Sequence, residues 1–190
     1  MMRWRNVLFG FIILLLVVGA VVVNQTGDEE TAGQEEQQST EPIQPDRDVK
    51  PQEGFAAPDF ELETLAGDTV RLYENNGKPS LINFWASWCP PCKVEMPHLQ
   101  EAYDQYGDDV NFHMVDLAFN DNFDNMTQYI EENNYTFPVP LDETGDVAMT
   151  YQAAAIPTTF IVDAEGIITH RIQGAMTEQQ IQAIMDDLTD

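Results

Sequence analysis

The chain has 190 residues and a formal net charge of −25, from 33 Asp plus Glu against eight Lys plus Arg. So acidic a surface repels phosphate backbones and excludes nucleic-acid binding. Three zones differ in composition: residues 1–23 contain no acid, residues 24–54 hold nine acids and two bases, and residues 55–190 carry both cysteines.

Val7 to Val23 is an uncharged run of 17 residues. That is at the short end of what crosses a bilayer core of about 30 Å as a helix. Arg3 and Arg5 precede it, and Asp28, Glu29 and Glu30 follow. The positive-inside rule keeps such an N-terminus cytoplasmic and sends the rest of the chain outside. Val18-Gly19-Ala20 has the small residues of a signal-cleavage site, but the apolar run continues through Val23. An uncleaved anchor over 1–23 is therefore the favoured reading. No cysteine sits just after the run, where a lipid-modified one would have to be, which argues against a lipoprotein.

Residues 24–54 are polar and charged, with Pro42, Pro45 and Pro51, and read as a disordered tether that gives the domain reach. Residues 55–190 form the folded domain, long enough to bury roughly two-thirds of its unfolded surface. It keeps 24 acids against four Lys plus Arg. That charge fits either plain solubility or adaptation to high external salt, where screening makes self-repulsion tolerable.

Along the domain, residues 59–73, turning at Gly67, read as a β-hairpin. Ser80 to Ala86 is an apolar run broken only by Asn83, as expected of a buried central strand. Then come the two cysteines, in Trp88-Cys89-Pro90-Pro91-Cys92-Lys93. A structural disulfide is a poor explanation, because a bridge across so short a loop removes little unfolded-state entropy. Structural zinc wants four ligands, and there is no second cysteine pair and no close His pair. Redox exchange remains: a thiolate attacks a disulfide and a second thiol resolves the mixed species. Placed at a helix start, the first thiol feels the partial positive charge of the helix end, which lowers its pKa. Prolines suit that first turn.

After Cys92, the residues Met96, Leu99, Tyr103 and Tyr106 form the stripe of an amphipathic helix, with Pro97 inside it as a source of a kink. A strand follows between Val110 and Phe119, then a helix over Asn122 to Asn134 with Phe123, Met126 and Ile130 on one face. Ala155 to Asp163 opens another strand, Ala164-Glu165-Gly166 turns it, and Ile167 to Ile172 returns. Thr177 and Gln180 make a capping box for a last helix that faces inward through Ile181, Ile184, Met185 and Leu188.

The stretch Asn83-Phe84-Trp85-Ala86-Ser87-Trp88-Cys89-Pro90-Pro91-Cys92-Lys93-Val94-Glu95-Met96-Pro97 resembles the ResA/TlpA-type branch of membrane-anchored thioredoxin-like proteins. The resemblance runs from about Ala57-Pro58-Asp59-Phe60 to the C-terminus. It implies an α/β thioredoxin fold with an N-terminal β-hairpin and a central insertion between about 121 and 151, preceded by one transmembrane helix. It further implies that Ile156-Pro157 is the cis-proline corner beside the dithiol, where the backbone pairs with an extended substrate. Trp88, Ile156 and Pro157 are accordingly candidate substrate contacts, and Glu95 a carboxyl that governs dithiol protonation. The competing reading of Glu95 is a solvated carboxylate near a helix start. Thioredoxin itself carries a buried Asp where this chain has Asn83, which cannot titrate, so Glu95 or water must take over that proton work.

The function implied is reduction of disulfides in exported proteins, such as apocytochrome c before haem attachment, with no cofactor or metal. Cys89 attacks and Cys92 resolves, Cys89 being the exposed thiol and Cys92 the buried one. A CcdA-type membrane dithiol carrier would return the electrons. Pro90 stands where ResA proteins of cytochrome maturation carry an acid, which leaves cell-wall or spore-cortex enzymes as alternative clients. A disulfide-donating oxidase is a further alternative, since potentials in this fold span about −270 to −120 mV with the same cysteine pair. A peroxidase is suggested only by Pro58-Asp59-Phe60.

Topology follows from the charge flanks of the apolar run. Protease added outside intact protoplasts is expected to remove the domain and leave a short membrane-bound stub, whereas complete protection of the domain would overturn the external assignment.

Overall fold

A computed structural model of the chain describes residues 48–189. The expected membrane anchor and the tether up to residue 47 lie outside the described residues. Among the described residues, no helix is long and apolar enough to cross a membrane.

The architecture is built around one strand. β3 (Ser80–Trp85) is buried at all six positions, as its apolar run requires. It pairs in parallel with β4 (Asn111–Asp116) and antiparallel with β5 (Thr158–Val162), which pairs antiparallel with β6 (Ile168–Gln173). The sheet order is β4-β3-β5-β6. Parallel pairing of β3 and β4 demands a long crossover, and α1 (Pro90–Tyr106) supplies it. Strand alternation splits the core into two. Leu81 and Trp85 face α1, with Met96, Leu99, Met114 and Ile161. Ile82 and Phe84 face the other side, with Val115, Phe160 and Tyr151. Asn83 lies in phase with Leu81 and Trp85, so the single polar residue of the strand points toward α1.

The hairpin of β1 (Glu61–Glu63) and β2 (Thr69–Arg71) forms its own two-stranded sheet, and Arg71 reaches Glu61 across it. Pro58-Asp59-Phe60 serves as an anchor for this hairpin. Tyr151 and Tyr73 donate their hydroxyls to the Pro58 and Ala57 carbonyls at 2.5 and 2.6 Å. Asp59 accepts the Phe60 and Tyr73 N–H groups. Upstream, residues 48–56 also fold back on the domain: Gly54 N–H donates to the Ile168 carbonyl and Ile168 N–H to the Phe55 carbonyl.

The insertion contains α2 (Phe123–Glu132) and the short α3 (Asp146–Thr150), joined by an extended stretch that the periodicity does not reveal. Residues 137–141 run along the outer edge of β4, where the Pro138 and Pro140 carbonyls accept from the Met114 and Asp116 N–H groups. Their other side meets the hairpin, with Leu65 N–H on the Val139 carbonyl and Leu141 N–H on the Glu63 carbonyl. Proline lacks the donor that a strand interior needs, so this stretch accepts on one side without extending the ladder. It thereby covers the edge of β4. In α2, Met126 and Ile130 are buried as expected, but Phe123 is 58% exposed. Phe123 is the first residue of the helix, where the chain has not yet turned its apolar face onto the core. α4 (Glu178–Thr189) begins at the expected capping box, with Gln180 N–H on Thr177 Oγ1 and Thr177 N–H on Gln180 Oε1.

Between the stretch along β4 and α3, Asp142 is fully buried, and its two oxygens accept the N–H groups of Gly145 and Ala148 at 2.9 and 2.8 Å. Gly145 takes φ +80° to make that turn. Asp142→Ala leaves both donors without a partner and is expected to lower stability by about 2–4 kcal/mol in urea denaturation. A loss below about 0.5 kcal/mol, the range of a neutral surface change, would show that other contacts hold the turn.

Candidate functional site

The site grows from the junction of β3 and α1. β3 ends at Trp85, whose indole N–H donates to the Met114 carbonyl and locks the strand end against β4. Four residues later Cys89 is the N-cap of α1, and Pro90 and Pro91 fill the first turn. Their missing N–H groups would have had no intrahelical partner. The first available donor is Cys92 N–H, which points at Cys89 Sγ at 3.3 Å. Any negative charge on Cys89 would therefore sit against a backbone donor and the positive end of the helix, the setting that stabilises a thiolate.

Cys89 and Cys92 are joined by a disulfide of 2.06 Å. Both are buried, at 2% and 1% exposure. The expectation that Cys89 is the exposed thiol is therefore corrected for this oxidised state. The reason is tertiary: the Ile156-Pro157 corner closes over the helix start and brings the Ile156 carbonyl oxygen to 3.7 Å from Cys89 Sγ. The Ile156–Pro157 bond is cis. Distant in sequence, these residues and the cysteine pair meet as the resemblance implies.

Trp88 is 53% exposed, and its indole N–H donates to the Asn120 carbonyl at 2.9 Å. It thus stands at the rim of the site, pinned to the turn Ala118–Asn120 that follows β4. Lys93 directs its ammonium over the Tyr129 ring at 4.5 Å, so its charge faces α2.

Glu95 is fully buried, not a solvated carboxylate. Its Oε1 accepts Met176 N–H at 3.2 Å, and its Oε2 accepts from the Asn83 amide at 3.4 Å. Asn83 in turn donates to Thr159 Oγ1 at 2.9 Å. Asn83 thus does in the fold what it cannot do by titrating: it holds the carboxyl that can. Burial pushes Glu95 up to about 7, against the lowering effect of those two hydrogen bonds. Lying one helical turn beyond Cys92, Glu95 shares its helix face. The arrangement supplies a disulfide, a helix end that favours a thiolate, a backbone acceptor beside it and a carboxyl poised near neutrality.

Among the described residues, His98, Glu101 and Glu178 bring ligand atoms within 4.8 Å of one another between α1 and α4, largely in solvent. Sequence reasoning missed Ser87, Asp116, Asp121 and Thr159 as neighbours of the site. Asp116 left one signal, an acid near the end of an apolar strand.

Comparison with known proteins agrees with this geometry. The profile of the AhpC/TSA family matches residues 54–171. Thiol-disulfide oxidoreductase ResA of Oceanobacillus iheyensis is 36% identical over 139 residues, covering 71% of this chain and 72% of that protein. ResA of Bacillus thuringiensis subsp. konkukian is 28% identical over 188 residues, 99% of each chain. Among solved structures, StoA from Bacillus subtilis superposes with a TM-score of 0.61 at 34% identity, covering 66% of this chain and 95% of that one.

Because the folded Glu95 titrates above the ordinary carboxylate range, the unfolded chain gives up its proton first as pH rises. Stability is then lost between about pH 4.5 and 7 and is level above that window. The stability of the wild-type domain relative to Glu95→Gln should accordingly fall across this window by about 2–3 kcal/mol. A difference that stays flat from acid to neutral pH would show that Glu95 ionises as a surface group.

Proposed function

Because this chain belongs to the AhpC/TSA family and is a thiol–disulfide oxidoreductase of the ResA type, we propose that it reduces disulfides in exported proteins, with apocytochrome c as the leading client. The observation that carries the reading is the placement of Cys89: N-cap of α1, met by Cys92 N–H at 3.3 Å, with the Ile156 carbonyl at 3.7 Å. One sulfur is set up as the stable anion, and an open backbone acceptor lies next to it for an extended substrate.

In the proposed reaction the reduced Cys89 thiolate attacks one sulfur of the client disulfide. The client's other sulfur leaves as a thiolate and takes a proton. Cys92 then gives its proton to Glu95 or to water and attacks Cys89 Sγ. This closes the Cys89–Cys92 bond and releases the second client thiol. The enzyme dithiol is oxidised by two electrons and the client disulfide is reduced by two. Glu95 suits the proton step because its folded pKa of about 7 lets it both take and return a proton near neutrality. Trp88, Ile156 and Pro157 frame the approach of the substrate. A CcdA-type membrane dithiol carrier resets the pair.

The same proposal places the chain at the cell membrane: residues 1–23 as anchor, the residues after it as tether, and an external thioredoxin-like domain that takes in residues 48–54 of the expected 24–54 tether, since these bond back onto it. The match to the Bacillus thuringiensis protein across 99% of both chains supports this, since the alignment takes in the N-terminal segment of each. Pro90-Pro91 favours a second client class, cell-wall or spore-cortex enzymes, because the acidic residue of cytochrome-maturation ResA proteins is missing at Pro90.

Cys92→Ala removes the resolving thiol, so mixed disulfides are expected to accumulate on Cys89 and to be recoverable from membranes. Apocytochrome c among the adducts supports the leading client, and a cell-wall enzyme the second. If Cys89→Ala traps adducts and Cys92→Ala does not, the two thiol roles are reversed. A midpoint potential near −120 mV rather than toward −270 mV would overturn the reducing direction.

A further inference from the structure

Beside the turn that leads into Cys89 lies a carboxyl group for which the exchange chemistry has no use. Asp116 ends β4, paired in register with Trp85. It is fully buried, and neither of its oxygens finds a hydrogen-bond donor. It lines a cavity of about 200 Å³ with Asp121, Glu143, Phe123, Met126 and Leu141.

The acid that shares this cavity wall and acts on Asp116 by its charge is Asp121. Two carboxylates are joined by a hydrogen bond only if one of them carries a proton. An ionised Asp116 would be a buried charge with no donor beside a like charge, an arrangement that costs far more than a buried neutral acid. A neutral Asp116 removes the conflict, because its O–H then donates to Asp121. Burial, followed by the charge and the hydrogen bond of Asp121, pushes Asp116 up to about 8. The other acids nearby do not relieve it. Glu143 adds negative charge to the cavity wall, Asp142 is used by Gly145 and Ala148, and Glu95 by Asn83 and Met176.

Asp121 gives that proton a consequence. Its oxygens accept both the N–H and, at 2.6 Å, the hydroxyl of Ser87. Trp88 comes next, with its indole on the Asn120 carbonyl, and then Cys89, whose N–H donates to the Ala86 carbonyl at 3.1 Å. The loop after β4 therefore grips the turn that delivers Cys89 to the start of α1.

We propose that Asp116 is a positioning residue for the dithiol: as a neutral acid it donates its proton to Asp121 and so fixes the Ser87–Trp88 turn that presents Cys89. The proposal rests on the exchange reaction assigned above to Cys89 and adds a proton-dependent hold on its geometry. When Asp116 ionises, its proton goes to solvent, two like charges face each other, and Asp121 shifts away from Ser87.

The test begins with the oxidised protein, in which neither cysteine titrates. In the wild type, the ¹³C carboxyl resonance of Asp116 should report a neutral acid at pH 7. The Ser87 amide and Trp88 indole resonances should move together with its ionisation at higher pH. Asp116→Asn, which keeps a donor toward Asp121 but cannot ionise, should abolish that midpoint, while Glu95→Gln should leave it in place. An ionised Asp116 at pH 7, or a Ser87 resonance that ignores its titration, overturns the proposal without any variant. The catalytic link is read from the ratio of wild-type to Asp116→Asn rate constants with a model disulfide, in which the ionisation of Cys89 cancels. That ratio should fall roughly three- to tenfold between pH 7 and 9, the scale of a modestly displaced reacting group. A constant ratio, with both proteins active, leaves the exchange reaction standing and refutes the positioning role. Loss of exchange in wild type at every pH would instead strike the reading of Cys89.

Discussion

The constraint on which the rest depends is that a helix must start at the end of a strand buried on both faces. β3 has no solvent side, α1 begins five residues past its end, and the first N–H groups of that helix have no intrahelical partner. Pro90 and Pro91 remove two of those donors, and Cys89 Sγ takes the one from Cys92. The reactive sulfur is thus part of the solution to a folding problem. The electrostatics that stabilise a thiolate are the same ones that cap the helix.

Among its described residues, a domain with a large excess of acids still buries three carboxyl groups completely, and it satisfies each differently. Asp142 receives two backbone N–H groups and shapes a turn. Glu95 receives one backbone and one amide N–H at the longer distances of 3.2 and 3.4 Å, which do not offset its burial and leave its protonation balanced near neutrality. Asp116 receives none and is left with another carboxylate. The number and closeness of the donors decide what a buried acid does: with two short ones it is structural, with two longer ones or none it holds a proton. These two acids both lie on the α1 side of the sheet, Glu95 one turn beyond Cys92 and Asp116 at the end of β4 opposite Trp85.

The insertion and the hairpin act as one device. Residues 137–141 accept from β4 through proline carbonyls and bond the hairpin on their far side, so neither piece stands alone. This seam holds β4 and the loop after it, and that loop grips Ser87 and Trp88. The distance from a peripheral hairpin to the dithiol is covered by packed, hydrogen-bonded backbone.

The sequence by itself determined much of this protein. The order of the strands and of every helix except the short α3, the helix start at the cysteine pair and the capping box of the last helix were readable, because each rests on local periodicity or on cap chemistry within a few residues. The cysteine spacing and its strand–helix setting disclosed the redox chemistry for the same reason. Tertiary structure decided what depends on partners far apart in the chain. The apolar phase of residues 122–134 included Phe123, yet a helix's first residue escapes the core. The stretch along β4 was invisible because prolines hide its pairing. Burial of Cys89 comes from Ile156, 67 residues away. Glu95 could have been a surface acid until Met176 and Asn83 enclosed it, and Asp116 drew no notice until Asp121 stood beside it with no base between them. Periodicity specifies which face of an element is buried, but the protonation of a buried group depends on which donors the other elements bring to it.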